Sequence, residues 1–408
     1  MTKLFTKRIL LLLAIAATTV AVNAATAGGD VLMDYLMRSA MLIPDDFAMS
    51  LGQEFRYNDN INQTSRGERS TSWISETDAN MQLTRTIDHF TYGVKLGGSY
   101  EHYFHKQDDD SSDFTYNFSP VMIGDLPFDV FGGKLMLSFN SAYERENVDG
   151  DSNRTSTVFR NKANAAWDAQ LTGHVSLVTT ANISSDRYNE RGFSGLDKNN
   201  YGFSISPTYR YSERTRFGLT GGYNLTEYRN HADHDDYDDI KLGTFLEHII
   251  NERTAAWLEM GATKLSYKNN SASDDSNRSN DWEFYFNSRI VYQALENLSF
   301  GFVLSRDVED STSSKARGNR VVTELAEVTT WNITSRITLA HRLSLTIKDE
   351  HTNSSDYNLY ESDLQLRFCP SRNFTYYAGW NISDACYDHE SYRNYVENEW
   401  RIGMKFNY

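Results

Sequence analysis

Near the end of the chain Trp400, Ile402, Met404, Phe406 and Tyr408 occupy every second position, and Glu397, Glu399, Arg401, Lys405 and Asn407 lie on the alternate row. Successive side chains of a strand point to opposite faces, so this segment carries one apolar and one charged face. A strand with lipid on one side and water on the other needs that pattern.

The pattern recurs as hairpins. Ser72 to Thr84 places Trp73, Ala79, Met81 and Leu83 opposite Glu76, Asp78, Asn80 and Gln82, and after a turn at Thr86 to His89 the chain returns through Tyr92, Val94, Leu96 and Tyr100. Phe159 to Leu171 turns at Thr172-Gly173 into Val175, Leu177, Ala181 and Ile183. Tyr201, Phe203, Ile205, Tyr209 and Tyr211 turn at Ser212-Glu213-Arg214 into Phe217, Leu219 and Tyr223. Two further units run from Trp282 to Leu304 and from Trp331 to Ile347.

Between the hairpins lie longer polar segments: 58–71, 105–113, 147–155, 189–200, 229–238, 268–280, 307–320, 351–358 and 383–394. Strict alternation of tight turns and long loops is the asymmetry of an outer-membrane barrel. The longer connection from Ile123 to Gly133, with Gly124, Pro127, Gly132 and Gly133, departs from the short-turn pattern. Nine long loops predict an all-β, antiparallel up-and-down transmembrane β-barrel of about 18 strands, from Met49–Tyr57 to Tyr395–Tyr408, with both termini in the periplasm. Sixteen strands is the alternative, because alternation is noisy from Ile240 to Tyr267, where Phe245 and Trp257 fall on the inner row. A soluble sandwich or propeller would use strands of about 5 to 6 residues, shorter than those read here.

The amino-terminal end supplies a route to the membrane. Lys3, Lys7 and Arg8 precede the apolar run Ile9 to Ala17, and Val22-Asn23-Ala24 offers a cleavage site, so residues 1–24 read as a secretory signal peptide. Residues 25–46 do not alternate and read as a periplasmic lead-in ended by Pro44; the barrel domain is 47–408. The expected location is the bacterial outer membrane.

Composition adds 25 Tyr, 22 Phe and 7 Trp, the residues of interfacial belts. The net charge of −15 makes nucleic acid a poor partner. The expected partners are outer-membrane lipids and lipopolysaccharide. The aromatic end of the last strand also resembles the signal read by the barrel assembly machinery.

The stretch Glu54-Phe55-Arg56-Tyr57-Asn58-Asp59-Asn60-Ile61, a first strand running into an Asn-Asp-Asn loop, resembles the outer-membrane β-barrel porins often associated with exopolysaccharide loci. The resemblance implies a channel for solute passage or polysaccharide export, with exopolysaccharide as a partner, and carries no catalytic residue across. The other function class is a structural or surface-binding barrel worked by its acidic loops; a lipid-modifying enzyme stands third.

Candidate chemistry is sparse. His231, Asp233, His234, Asp235, Asp236, Asp238 and Asp239 mix oxygen and imidazole donors, and Asp108-Asp109-Asp110 and Asp274-Asp275 gather carboxylates, but without EF-hand spacing they read as solvated loops. His174 with Ser176 and His341 with Ser344 are read as turn residues. No catalytic, cofactor-binding or metal residue is therefore assigned, no cofactor is expected, and the chain reads as a non-enzyme. Inner rows with charges of both signs, Glu76, Asp78, Lys95, Glu101, Arg160, Lys162, Asp168, Arg210, Glu283, Arg289, Arg336, Lys348, Glu361, Asp363, Arg367, Glu397, Glu399, Arg401 and Lys405, call for a wet lumen. Cys369 at a turn and Cys386 in the next loop are expected to stay unpaired, separated by a membrane crossing.

Overall fold

The computed structural model describes residues 47–60, 71–87, 90–104, 112–126, 133–147, 155–189, 195–229, 236–268, 282–310, 319–350, 356–387 and 394–408. The signal peptide and the lead-in lie outside the described residues. Eighteen strands follow one another: β1 (Phe47–Asn58), β2 (Ser72–Ile87), β3 (Phe90–Tyr103), β4 (Ser112–Leu126), β5 (Gly133–Asn147), β6 (Thr155–Gln170), β7 (Val175–Tyr188), β8 (Lys198–Ser212), β9 (Thr215–Tyr228), β10 (Tyr237–Asn251), β11 (Thr254–Tyr267), β12 (Glu283–Leu295), β13 (Leu298–Asp310), β14 (Asn319–Asn332), β15 (Ile337–Glu350), β16 (Tyr357–Phe368), β17 (Phe374–Tyr387) and β18 (Tyr395–Asn407). Each pairs antiparallel with its chain neighbours, and β18 pairs β1, so the sheet closes and leaves no edge. The count is eighteen, and the noisy region resolves into β10 and β11.

Lipid-facing side chains account for the pattern. Phe55, Trp73, Leu83, Tyr100, Phe203, Leu219, Leu242, Phe284, Leu325, Leu343, Trp400 and Ile402 are all exposed on the outside of the sheet. In water such a surface would aggregate; against acyl chains it costs nothing. Phe245 and Glu259 are buried on the inner face, and Trp257, which pairs Glu247, shares it.

The strands are longer than the alternation implied. β13 runs to Asp310 and β17 to Tyr387, so segments read as loop from 307 and from 383 begin as strand, and Cys386 lies at the end of β17 rather than in a loop. Above the lipid belt both faces meet water, so the apolar row stops while the hydrogen-bond ladder continues. Cys369 precedes β17 and Cys386 lies near its far end, and no disulfide joins them.

At three long-loop necks an acidic or amide residue preceding a strand accepts the backbone N–H of the tyrosine that ends the strand before it. The pairs are Tyr188 to Asp197 at 2.8 Å, Tyr228 to Asp236 at 2.7 Å and Tyr387 to Asn394 at 2.7 Å. The first and last strands are clasped as well. Asp59 Oδ1 accepts the Asn398 backbone N–H at 2.7 Å, its Oδ2 accepts the Asn398 side-chain amide at 3.0 Å, and Asn60 donates to the Val396 carbonyl at 3.1 Å. The Asn-Asp-Asn stretch is thus the upper clasp of the barrel seam, and Asn60 is fully buried. At the other rim Met49 and Tyr408 exchange backbone hydrogen bonds, which brings both ends of the barrel to the short-turn side.

Candidate functional site: the inner wall

The inner rows collect charge from every part of the sequence. On β1 to β3, Glu54, Glu76 and Glu101 stand in register across neighbouring strands. Like charges directly opposite one another are destabilising, and Arg56 offsets them. Its guanidinium contacts Glu101, lies 3.2 Å from Glu76 and 3.4 Å from Glu54, and reaches Glu399 of β18 at 3.8 Å. Beside this cluster Arg401 bonds Asp363, Lys405 lies 3.7 Å from Asp78, and Asn58 donates to Glu397. Arg56 joins carboxylates from both sides of the barrel seam.

A second cluster covers β9 to β13. Tyr285 lies flat on the wall over Gly243, where an added Cβ would overlap its hydroxyl. That hydroxyl donates to Glu259 at 2.9 Å, and Lys241 sits 3.9 Å above the tyrosine ring and 3.4 Å from Asp307. Glycine at position 243 admits the ring, and the ring in turn carries the ammonium, a cation over an aromatic face.

The third region, on β5 to β9, is richer in cations. Arg160 bridges Glu144 and Asp186, each at 3.1 Å, and Arg216 bonds Glu247 at 2.6 Å. Arg210 stands directly opposite Arg216. Lys134, Asp168, His174, Arg210 and Arg216 line a cavity of about 330 Å³ near the short-turn rim. Lys162, halfway along β6, shares the inner row of Arg160, is exposed, and has no ion-pair partner among the described residues.

The predicted inner charges fall on the inner rows with one correction: Arg336 belongs to the turn 333–336 and is exposed there. Several contributors escaped sequence reading. Asp307 falls in a segment whose sequence reads as loop, and Lys241 and Glu259 lie in the noisy region. Arg56 and Arg216 carried the required alternation and could have been found from it.

The acidic segment is also redistributed. Asp236 caps Tyr228, Asp238 pairs Lys268 at 3.2 Å, and Asp239 accepts Thr263 at 2.6 Å and Asn224 at 3.1 Å on the inner face. Asp238 and Asp239 therefore point to opposite sides of β10, and no metal-binding group occurs among the described residues. His231, Asp233, His234, Asp235, Asp108, Asp109, Asp110, Asp274 and Asp275 lie outside them. His174 does sit at a turn, with Nδ1 3.1 Å from the Arg210 carbonyl. His341 does not: it lies within β15 on the outer row, and Ser344 is buried on the inner one, so these two cannot pair.

No family model matches the chain, and no curated protein matches it in sequence. In fold it is similar to the crystal structure of OccAB2 of Acinetobacter baumannii, with a TM-score of 0.52 and 10% identity over 90% of this chain and 99% of that one. OccAB4 of the same organism has a TM-score of 0.48 at 11% identity, covering 90% of this chain and 99% of its own. The outer membrane protein OpdK of Pseudomonas aeruginosa has a TM-score of 0.46 at 10% identity, covering 89% and 98%. The closed sheet of eighteen strands with an apolar outer wall is that of a bacterial outer-membrane β-barrel.

Proposed function

We propose that the barrel is a water-filled channel for small hydrophilic solutes. Lys162 carries the reading: an ammonium at mid-height on the inner wall, exposed and without an ion-pair partner among the described residues, retains its charge only beside water. Barrels of 16 to 18 strands are wide enough to leave an aqueous passage. The carboxylate-rich seam and the cation-rich β6 to β9 wall would orient a solute that carries separated charges. Polysaccharide export has no observation of its own behind it, because the Asn58-Asp59-Asn60 stretch is engaged in holding β1 to β18.

Single-channel recording of the purified protein in planar bilayers tests this. The expected result is stepwise conductance whose reversal potential in a salt gradient moves toward cations in Lys162→Glu. A folded, heat-modifiable barrel that never conducts would overturn it.

A further inference from the structure

The lipid-facing rows of β14 to β16 carry polar groups at mid-depth. Glu327 and Thr329 lie between exposed Leu325 and Trp331, His341 lies between Leu339 and Leu343, and Ser362 lies between Tyr360 and Leu364. Glu327 stands five residues from the short-turn end of β14 at Asn332, and His341 four from that of β15 at Ile337. At about 3.3 Å per residue and a tilt of about 45°, both lie roughly 9 to 12 Å above that end, near the middle of an apolar band about 25 Å tall. Arg85 and His248 also occupy outer rows, but within three residues of the short-turn ends of β2 and β10, beside the interface. An ionisable group at mid-depth is costly against acyl chains and much less so against a polar protein surface.

The cluster is not satisfied within its own wall. His341 Nε2 is 3.1 Å from Ser362 Oγ, and Thr329 donates its hydroxyl to Glu327 Oε1. Among the described residues Glu327 Oε2 receives no hydrogen bond and His341 Nδ1 makes none. The polar group on the outer row of β1 and β2 differs: Gln53 donates to Ser75 at 3.0 Å and accepts from Thr77 at 2.7 Å, so three uncharged side chains meet one another. On β14 and β15 a carboxylate and an imidazole each keep one hydrogen-bonding position turned to the outside.

We propose that this wall is the interface of a homodimer, its occupant a second copy of the chain related by a two-fold axis along the membrane normal. A two-fold contact uses the same patch on both subunits, so that residue i meets j and j meets i. Such an axis keeps every group at its own depth. Leu343 stands opposite Glu327 and is the next outer residue after His341, which puts Glu327 and His341 one diagonal step apart at nearly one depth. Rotation about an axis beside Leu343 therefore brings each copy's His341 to the other copy's Glu327. With Nε2 accepting from Ser362, Nδ1 carries the proton and donates it to that carboxylate. Exposed Leu325, Trp331, Leu343 and Leu364 surround the two bonds with apolar contact. Any other occupant would need an imidazole and a carboxylate facing lipid at this same depth, and a second copy has both. A self-complementary patch closes at two subunits.

The full-length protein carrying Cys369→Ser and Cys386→Ser is placed in the outer membrane with either Leu343→Cys or, on β9, Leu219→Cys, and a bismaleimide is applied before extraction. The expected result is a cross-linked pair from Leu343→Cys and none from Leu219→Cys. In mild detergent His341→Leu and Glu327→Leu should each raise the dimer dissociation constant roughly 3- to 20-fold, the span of a side-chain hydrogen bond between membrane segments. Both put an apolar residue on a lipid-facing row, so both barrels should fold. Mixed in equal amounts, the two variants should pair with each other more often than chance, because the mixed dimer keeps one imidazole-to-carboxylate bond and each variant alone keeps none. A barrel that stays monomeric, a cross-link from Leu343→Cys to a different protein, an equal cross-link from Leu219→Cys, or random pairing of the two variants overturns the proposal.

Discussion

On the seam side of the lumen Arg56 faces Glu54, Glu76, Glu101 and Glu399, and its side chain is only 19% exposed. Nearly opposite around the ring, on β6 to β9, Arg160, Lys162, Lys198, Arg210 and Arg216 outnumber Asp168 and Asp186, and Lys162 and Arg210 are exposed. The seam charges form one network, in which each group solvates the others and removal of the centre strands four carboxylates. Across the lumen Arg160 and Arg216 are ion-paired, but Lys162 and Arg210 stand exposed where water does the solvating, so these two charges are nearly free to change. The same residue types hold the barrel closed on one wall and condition its water on the other.

The largest test of this contrast is Arg56→Gln. Breaking a buried ion pair from one side costs about 3 to 5 kcal/mol; with part of this cluster wet, about 2 kcal/mol is expected, read as a lower urea midpoint for the folded barrel in detergent. Asp59→Ala should cost about 1 to 2 kcal/mol, since two hydrogen bonds to a carboxylate are lost. Amide exchange should quicken at the upper ends of β1 and β18 while β6 to β9 stay protected; uniform quickening would mean that the seam is no special point of closure.

Lys162→Gln should change stability by no more than about 0.5 kcal/mol, as for a solvated surface group. Its channel should become less anion-preferring. A loss as large as that of Arg56→Gln would show that both walls are structural. The smallest effect carries the opposite sign: Arg210→Gln relieves the cross-strand pair with Arg216 and should stabilise by about 0.3 kcal/mol, measurable as a small rise in the same midpoint.

Much of the barrel was legible beforehand because lipid imposes a local rule. The row that meets lipid must be apolar, and that rule located the hairpins and, by counting positions, left Phe245 and Trp257 on the inner row. It failed where its cause ended. Above the lipid belt β13 and β17 continue as polar strand, and Arg336, read as inner wall, lies past the end of its ladder. The Asn-Asp-Asn stretch looked like a family signature; its sequence held no sign that the partner would be Asn398, 339 residues away.

The chain by itself determined the barrel architecture, about eighteen strands with sixteen as the alternative, and the rows that meet lipid and water, because period-2 alternation and turn chemistry are properties of short segments. Tertiary structure alone decided which charges meet. Arg56 reaches Glu101 across 45 residues, and His341 finds Ser362 rather than Ser344 across 21. Neighbours across a ladder are set by register and by closure of the ring, and a sliding strand keeps its pattern while exchanging every partner.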